Sequence, residues 1–478
     1  MLFNSVEFGL FLPVVFFLYW FVFQARLKTQ NLLLVAASYL FYGWWDWRFL
    51  MLIAFSSLVD YFVGIGLTTS NHEPRRKLFL VTSICVNLGF LGVFKYFNFF
   101  AESFADAFTL LGHPFEATRL SVILPVGISF YTFQTLSYSI DVYRRKLIGT
   151  KDIVAFFAFV SFFPQLVAGP IERATNLLPQ FYAPRKFSYD EAVIGTRQIL
   201  WGLVKKVVIA DNCATIVNMV FSDYQEYNAS TLVVSAVFFS FQIYGDFSGY
   251  SDIAIGTARL FGFRLMDNFA FPYFSRDMAE FWRRWHISLS TWFRDYLYIP
   301  LGGSRVGLWS KIRNTFVVFL VSGFWHGANW TFILWGALNA IYFLPLLISK
   351  RNRSNLDTVA HGKLIPSMRD VFDMGSTFAL TLVAWVFFRS DSVPDAFAYL
   401  KGMCSSTLFD VPEVLPRRIF GFLVIFVVIE WLGRFDKFAI AKSIDSLPRV
   451  VRWLVYYLIV VILIVFGGEQ QDFIYFQF

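Results

Sequence analysis

Long apolar runs separated by short polar loops extend along most of the chain, and this pattern predicts a bundle of membrane-spanning helices. A helix needs about 20 apolar residues to cross the hydrocarbon core of a bilayer, and the runs imply roughly eleven spans. The first run, from Phe8 to Phe23, has no Lys or Arg before it and no small-residue cleavage site after it. We therefore interpret it as a retained span and not as a cleaved signal peptide.

Charges in the loops predict how the spans are oriented. Loops rich in Lys and Arg stay on the cytoplasmic side of a membrane. The basic segments of this chain are 26–28, 75–77, 144–151, 264–313, 350–369 and 434–452. The loops between the first three are acidic or rich in Trp, so the N-terminus is predicted to lie outside. The tail after Gly468 is predicted to emerge on the same outer, periplasmic face.

Two segments do not fit a simple crossing. Residues 162–174 read FFPQLVAGPIERA, and their Pro and Gly interrupt a run too short for a span, so we predict a re-entrant segment. The second is FWHGANW at 324–330. The chain reaches it from Arg313 within about half a bilayer, which predicts that His326 lies near mid-depth. Non-helical backbone at that depth requires surrounding protein or water, so a cavity is expected.

The segment from Asp277 to Tyr298 predicts an amphipathic helix. One face carries, at spacings of three and four, Trp282, His286, Leu289 and Phe293. Such a helix can lie in the membrane interface with its aromatic side chains inward. His286 is then either a packing histidine or a functional group. The functional alternative is considered because placing a titratable imidazole among apolar segments costs free energy unless something compensates it.

Other polar residues also lie within apolar runs. The Gly-punctuated stretch IYGDFSGYSDIAIG contains Asp246, Ser248, Ser251 and Asp252. Lone carboxylates are expensive in a membrane, so these are expected to pair with Arg or with backbone, and a catalytic role is the alternative. Glycines there allow helices to approach closely, and Gln134 in another run is expected to bond one helix to the next.

Composition narrows the class of protein. The 478 residues are 57% hydrophobic and only 15% charged, and the mean hydropathy is +0.56, which excludes a soluble fold. The net charge of +8 comes from loops beside spans, so it indicates membrane topology and not nucleic-acid binding. Three scattered cysteines show no zinc-ligand spacing. We find no repeat and treat residues 1–478 as one domain.

Five motifs in order carry a resemblance to a known family. They are GISFYTFQTLSYSIDVYR, FFPQLVAGPI, DFSGYSDIAIG, EFWRRWHISLSTWFRDYLYIPLGG and FWHGANWTFILWG. Together they closely resemble the membrane-bound O-acyltransferase family, and within it the bacterial polysaccharide branch typified by the alginate O-acetylases. The similarity is strongest from about Leu124 to Gly336.

The resemblance implies an all-α helical bundle around a central tunnel in the bacterial inner membrane. It implies transfer of an acyl group, most often acetyl, from a cytoplasmic thioester such as acetyl-CoA or a carrier-protein thioester, with no permanently bound cofactor. The implied acceptor is an exopolysaccharide or cell-wall glycan such as alginate. Relatives in this branch work with a periplasmic or membrane-anchored SGNH-like acetyltransferase, so such a partner is expected.

The resemblance also assigns residues. The near-invariant histidine of the family falls on His326, which is expected to be catalytic as a base or as a nucleophile, and the second functional position falls on His286. A metal site is not expected, because neither motif offers a third ligand. The candidates for binding the anionic donor are Trp282, Arg283, Arg284 and Asp246.

The C-terminal sequence FIYFQF follows the pattern Phe-x-Tyr-x-x-Phe. It resembles the terminal motif of a short peptide that works with the teichoic acid D-alanylation relative of the family. Tyr475 is therefore a candidate acyl relay. The alternative is that an aromatic tail lies in the interfacial belt.

Two other classes of protein fit the same pattern of spans. A transporter or flippase also needs broken helices and charges at mid-depth, and FWHGANW would then be a gate. Internal inverted symmetry would favour that class, and we find none. The third alternative is a non-enzymatic scaffold of a polysaccharide export complex.

Overall fold

Helices make up most of the chain in the computed structural model, which describes residues 1–113, 115–121, 123–167 and 169–476, excluding the side chain of Phe476. Within these ranges there is no β-strand. The chain forms two compact units, the first of residues 1–195 with 257–266 and the second of residues 196–256 with 267–478. A single domain over residues 1–478 stays a prediction.

The first unit contains nine complete α-helices within the described residues. They are α1 Val6–Phe17, α2 Leu27–Gly43, α3 Leu50–Thr69, α4 Glu73–Leu91, α5 Phe97–Leu110, α6 Ile128–Tyr143, α7 Ile153–Ser161, α8 Phe163–Leu166 and α9 Ala174–Leu177. Two further α-helices contribute residues to both units. They are α10 Tyr189–Leu203 and α12 Ala229–Leu260.

The second unit holds the remaining helices. They are α11 Asp211–Ser222, α12 Ala229–Leu260, α13 Met278–Arg284, α14 Ile287–Phe293, α15 Leu308–His326, α16 Trp330–Ile348, α17 Met368–Arg389, α18 Val393–Met403, α19 Arg417–Gly433 and α20 Arg449–Phe466. A π-helical segment, Val204–Ala210, joins α10 to α11.

Six helical stretches in the described part of the chain are long and apolar enough to cross a membrane. They are Trp47–Thr69, Glu73–Leu110, Ala229–Leu260, Trp330–Ile348, Met368–Arg389 and Arg449–Phe466. Every residue of α20 is at least partly exposed, as expected of a helix that faces lipid. The all-helical, multi-pass architecture is confirmed, while the count of roughly eleven spans and the central tunnel stay predictions.

The sequence correctly predicts the interruption at 324–330, because α15 ends at His326 and α16 begins at Trp330. Each helix is 19 residues long, or about 28 Å, and the position of His326 near mid-depth stays a prediction. A Cβ on Gly323 or Gly336 would overlap a backbone carbonyl of the facing helix. The two helices therefore pack backbone to backbone, as small residues allow in membranes.

The segment 162–174 is also broken and buried. Helix α7 ends at Ser161 and the short α8 follows; Ala168 lies outside the described residues. Gln134 donates to the carbonyl of Phe159 (2.7 Å) and accepts a hydrogen bond from Gln165 (2.7 Å). This confirms that Gln134 hydrogen-bonds its own helix to neighbouring helices. The re-entrant path of residues 162–174 stays a prediction.

Candidate active site

The segment from Asp277 to Tyr298 is not the continuous interfacial helix that its periodicity predicts. Helix α13 ends at Arg284 and α14 begins at Ile287, and His286 between them has φ +44°. The backbone N–H of Ile287 donates to the carbonyl of Asn268 (2.9 Å) instead of continuing a helix. The prediction was wrong because this contact from outside the segment turns the chain and buries His286.

His326 is the last residue of α15 and is 3% exposed. Its ring is surrounded by four aromatic rings, one from the same helix and three from other parts of the second unit. The centroid distances are 5.0 Å to Trp325, 5.1 Å to Trp335, 5.4 Å to Phe388 and 5.5 Å to Tyr475. The histidine therefore lies inside an aromatic cage, where water has little access and electrostatic interactions are strong.

His286 lies next to His326, with ring centroids 6.4 Å apart. It is 1% exposed, and its ring packs edge-on against Phe247 at 4.6 Å. This residue lies outside the membrane-spanning helices, and burial lowers its pKa to about 3, so the imidazole is neutral at physiological pH. The two histidines predicted separately from the sequence thus come together in one site.

Tyr475 joins this pair from the C-terminal tail. Its ring lies 4.7 Å from Phe247 and 5.5 Å from His326, and Phe473 stacks beside it at 5.5 Å. Burial and the charge of Asp246 raise the pKa of Tyr475 well above its ordinary value. Its hydroxyl is therefore protonated at neutral pH and needs a base to become a nucleophile. Phe478 of the predicted motif lies outside the described residues.

Buried charges hold the tail in place. Asp246 accepts a hydrogen bond from the backbone N–H of Ile474 (2.7 Å). Lys206 donates to the carbonyl of Gln471 (3.0 Å) and forms ion pairs with Asp246 and Asp211, both at 2.8 Å. Since these side chains are almost fully buried, removing one partner would leave an uncompensated charge. The contacts made by Asp246 therefore anchor the segment that carries Tyr475.

A second buried network surrounds Asp252. Its carboxylate pairs with Lys205 at 3.0 Å and accepts a hydrogen bond from Gln198 at 2.9 Å, and Lys205 also reaches Glu430 at 3.5 Å. The expected pairing of the two membrane carboxylates is thus present, with lysines instead of arginines as partners. Sequence reasoning missed both lysines, although a Lys-Lys pair inside an apolar run was a usable signal.

A cavity of about 520 Å³ lies in the same unit, along one side of α15. Its lining follows this helix from Leu308 to Ser322, about 21 Å along the axis, and Ser322 is one turn before His326. The cationic residues of the lining are Arg294, Lys311, Lys350 and Arg353. Among the described residues none of the lining is acidic, so the cavity is suited to an anionic ligand.

Of the four residues predicted to bind the donor, only Trp282 lines the cavity. The buried Nε1 of Trp282 has no hydrogen-bond partner among the described residues. Arg283 instead donates to the carbonyls of Asn352 and Asn355, and Arg284 pairs with Glu280 (2.8 Å). Neither arginine lines the cavity, and Asp246 holds the tail.

These features form a candidate site in a multi-pass membrane protein: two buried histidines, an anchored tyrosine and a basic cavity one helical turn away. The chain belongs to the membrane-bound O-acyltransferase family and is therefore an acyltransferase. The family profile, described as MBOAT, membrane-bound O-acyltransferase family, matches residues 85–384, a range that includes His286 and His326.

Individual relatives match different shares of the chain. A probable alginate O-acetylase of Pseudomonas putida is 39% identical over 90% of this chain and 85% of its own length. A peptidoglycan O-acetyltransferase of Helicobacter pylori is 37% identical over 84% of this chain and 80% of its own. A teichoic acid D-alanyltransferase of Streptococcus thermophilus is 31% identical over 51% of this chain and 62% of its own.

Proposed function

We propose that this protein takes an acetyl group from a cytoplasmic thioester and passes it through the membrane for O-acetylation of an extracellular polysaccharide. The observation that carries the proposal is the cluster of His326, His286 and Tyr475, one helical turn beyond a cavity lined by cations. A donor entering that cavity and an acceptor approaching from the tail would meet at His326.

The cationic lining of the cavity suits the negative charge of a phosphopantetheine thioester. Both acetyl-CoA and an acetylated carrier protein present a phosphate followed by a slim, largely uncharged arm. Lys311, Lys350 and Arg353 would hold the phosphate, since guanidinium and ammonium groups bind phosphate through charge-assisted hydrogen bonds. The arm would follow α15 past Ser322, and the unpaired indole N–H of Trp282 offers a hydrogen bond on the way.

The first chemical step is transfer from sulfur to oxygen. His326 acts as general base and takes the proton of the Tyr475 hydroxyl while the oxygen attacks the thioester carbonyl. The C–O bond forms, the C–S bond breaks, and the protonated His326 returns its proton to the departing thiolate. The products are acetyl-Tyr475 and a free thiol, with no net gain or loss of protons.

In the second step the acetyl group leaves the tyrosine for a hydroxyl on the outer side. An aryl ester is activated for such a transfer, because a phenolate is a better leaving group than an alkoxide. We propose a periplasmic or membrane-anchored SGNH-like acetyltransferase as the receiving partner, and alginate or another glycan as the final acceptor. The similarity to an alginate O-acetylase and to a peptidoglycan O-acetyltransferase supports this class of acceptor.

The proposed setting is the bacterial inner membrane, with both termini on the periplasmic side. The positive-inside pattern of the loops supports this orientation. It also puts the basic cavity on the cytoplasmic side, because Lys350 and Arg353 belong to one of the cytoplasmic loops.

A sided reconstitution tests the proposed function. Purified protein is inserted into vesicles, the orientation is measured by protease cleavage of the basic loops, and [14C]acetyl-CoA is supplied on one side at a time. We expect label on the C-terminal peptide only when the donor is on the side of the basic loops. Labelled acetyl-CoA that crosses intact would support a transporter, and bound donor without any covalent label would contradict the acyltransferase route proposed here.

Charge in the cavity should control donor affinity. We expect Lys311→Gln and Arg353→Gln each to raise the KM for acetyl-CoA roughly 5- to 10-fold, equivalent to about 1 to 1.4 kcal/mol, with kcat nearly unchanged. Acetyl-pantetheine, which lacks the nucleotide phosphates, should show no such difference. Arg369→Gln is the matched control, because Arg369 is 89% exposed and is not part of the cavity lining. Equal effects of all three substitutions would contradict the assignment.

A further inference from the structure

Asn268 makes an unusual number of contacts with the segment that carries His286. It is 1% exposed. Its side-chain oxygen accepts hydrogen bonds from the backbone N–H (3.3 Å) and the hydroxyl (2.9 Å) of Ser288, and it lies 3.0 Å from Nδ1 of His286. Its backbone carbonyl accepts the N–H of Ile287. One residue thus contacts three successive residues at the break between α13 and α14.

These contacts fix which end of the Asn268 amide faces the histidine. A backbone N–H can only donate, so the atom opposite the Ser288 N–H must be the amide oxygen. The amide nitrogen then points the other way, where it donates to Ser251 Oγ at 3.1 Å. The flipped amide would set two donors against each other and is excluded on these grounds.

The fixed oxygen in turn determines the proton on the imidazole. An oxygen at 3.0 Å from Nδ1 needs a hydrogen on that nitrogen, because two acceptors cannot share a hydrogen bond. Since burial keeps the ring neutral, the second nitrogen, Nε2, has no hydrogen and presents its lone pair. The left-handed backbone of His286 agrees with a tightly constrained residue, because such conformations persist only where their surroundings enforce them.

We propose that Asn268 is a positioning residue that locks His286 in the Nδ1–H tautomer and so makes Nε2 a proton acceptor. The inference rests on the proposed function and makes it more specific. His286 then receives a proton during transfer, either as a base or as a relay beside His326. A role as an Nε2–H donor to the developing oxyanion is excluded.

Two substitutions at Asn268 and one beside it test the kinetic consequence. Asn268→Leu removes the acceptor, and we expect kcat to fall about 100-fold, within the range for general acid–base groups, with little change in KM. Asn268→Asp keeps an oxygen for Nδ1–H and should restore most of kcat. Ser251→Ala removes only the partner of the amide nitrogen and should behave like the unmodified protein. The idea is overturned if Asn268→Leu keeps its kcat, or if Asn268→Asp is as impaired as Asn268→Leu.

A direct measurement of the His286 tautomer tests this inference independently of the proposed function. The chain has five histidines, so solid-state ¹⁵N NMR of histidine-labelled protein in lipid, minus the spectrum of His286→Gln, isolates the signals of His286. We expect a protonated Nδ1 and an unprotonated Nε2, and a shift toward the other tautomer in Asn268→Leu. A protonated Nε2 in active, unmodified protein would overturn the inference alone. Failure of acetyl transfer with the expected spectrum would overturn the proposed function alone.

Discussion

Replacing His326 with Ala is expected to lower the rate of acetyl transfer by about 10²- to 10⁴-fold, because a positioned general base contributes a factor of this size to such a reaction. The hydroxyl of Tyr475 has a raised pKa, so it depends on a base for its nucleophilicity. Donor binding should persist, since His326 does not line the cavity. The measurement is acetylation of the C-terminal peptide from labelled acetyl-CoA in vesicles, together with the Kd of the donor.

The experiment has two controls. His326→Gln keeps most of the volume inside the aromatic cage, so it separates loss of the base from collapse of the packing. His361→Ala removes an exposed histidine elsewhere in the second unit and should leave the rate unchanged. If His326→Ala is inserted normally and still supports acetylation, the protein acts as a scaffold or transporter and the proposed mechanism is wrong.

The sequence identifies the chemically expensive residues of the candidate site well. An imidazole or a carboxylate in an apolar run carries its own signal, because the cost of burying it must be compensated. His286, His326 and Asp246 were found in this way, and Tyr475 was found from the tail motif. The helix break at 324–330 was equally visible, since Gly and Asn interrupt an otherwise apolar pattern.

Partners that come from distant parts of the chain were not predictable in the same way. The helical period of 277–298 takes no account of Asn268, which turns the chain at His286 from outside the segment. Likewise, Lys206 and Asp246 lie far apart in the sequence, and only the fold brings them together at the tail. Arg283 and Arg284 were predicted to bind the anionic donor because they form a cationic pair in the sequence. Their guanidinium groups instead bond to carbonyls and to a carboxylate of the protein itself. Local pattern identifies a residue type, while tertiary packing decides its role.

Replacing Tyr475 with Phe is expected to reduce acetylation of an external acceptor to below about 1% while donor binding remains, because the only atom removed is the nucleophilic oxygen. The ring should stay in place, since the rings of Phe247 and Phe473 pack against it at centroid distances of 4.7 Å and 5.5 Å. The backbone bond from Ile474 to Asp246 is also unaffected. Removing residues 473–478 should abolish transfer as well, by deleting the proposed carrier.

The alternative for the tail is an interfacial aromatic anchor, and the two readings predict opposite results. An anchor tolerates Phe in place of Tyr, whereas a relay does not. Tyr457→Phe on α20 is the matched control, because that tyrosine is 62% exposed and is expected to face lipid. A trapped ester on Tyr475, detected by mass spectrometry and released by hydroxylamine, is expected in the unmodified protein and absent from Tyr475→Phe. Full acetylation of the polymer by Tyr475→Phe would exclude the relay and leave His326 to transfer the group directly.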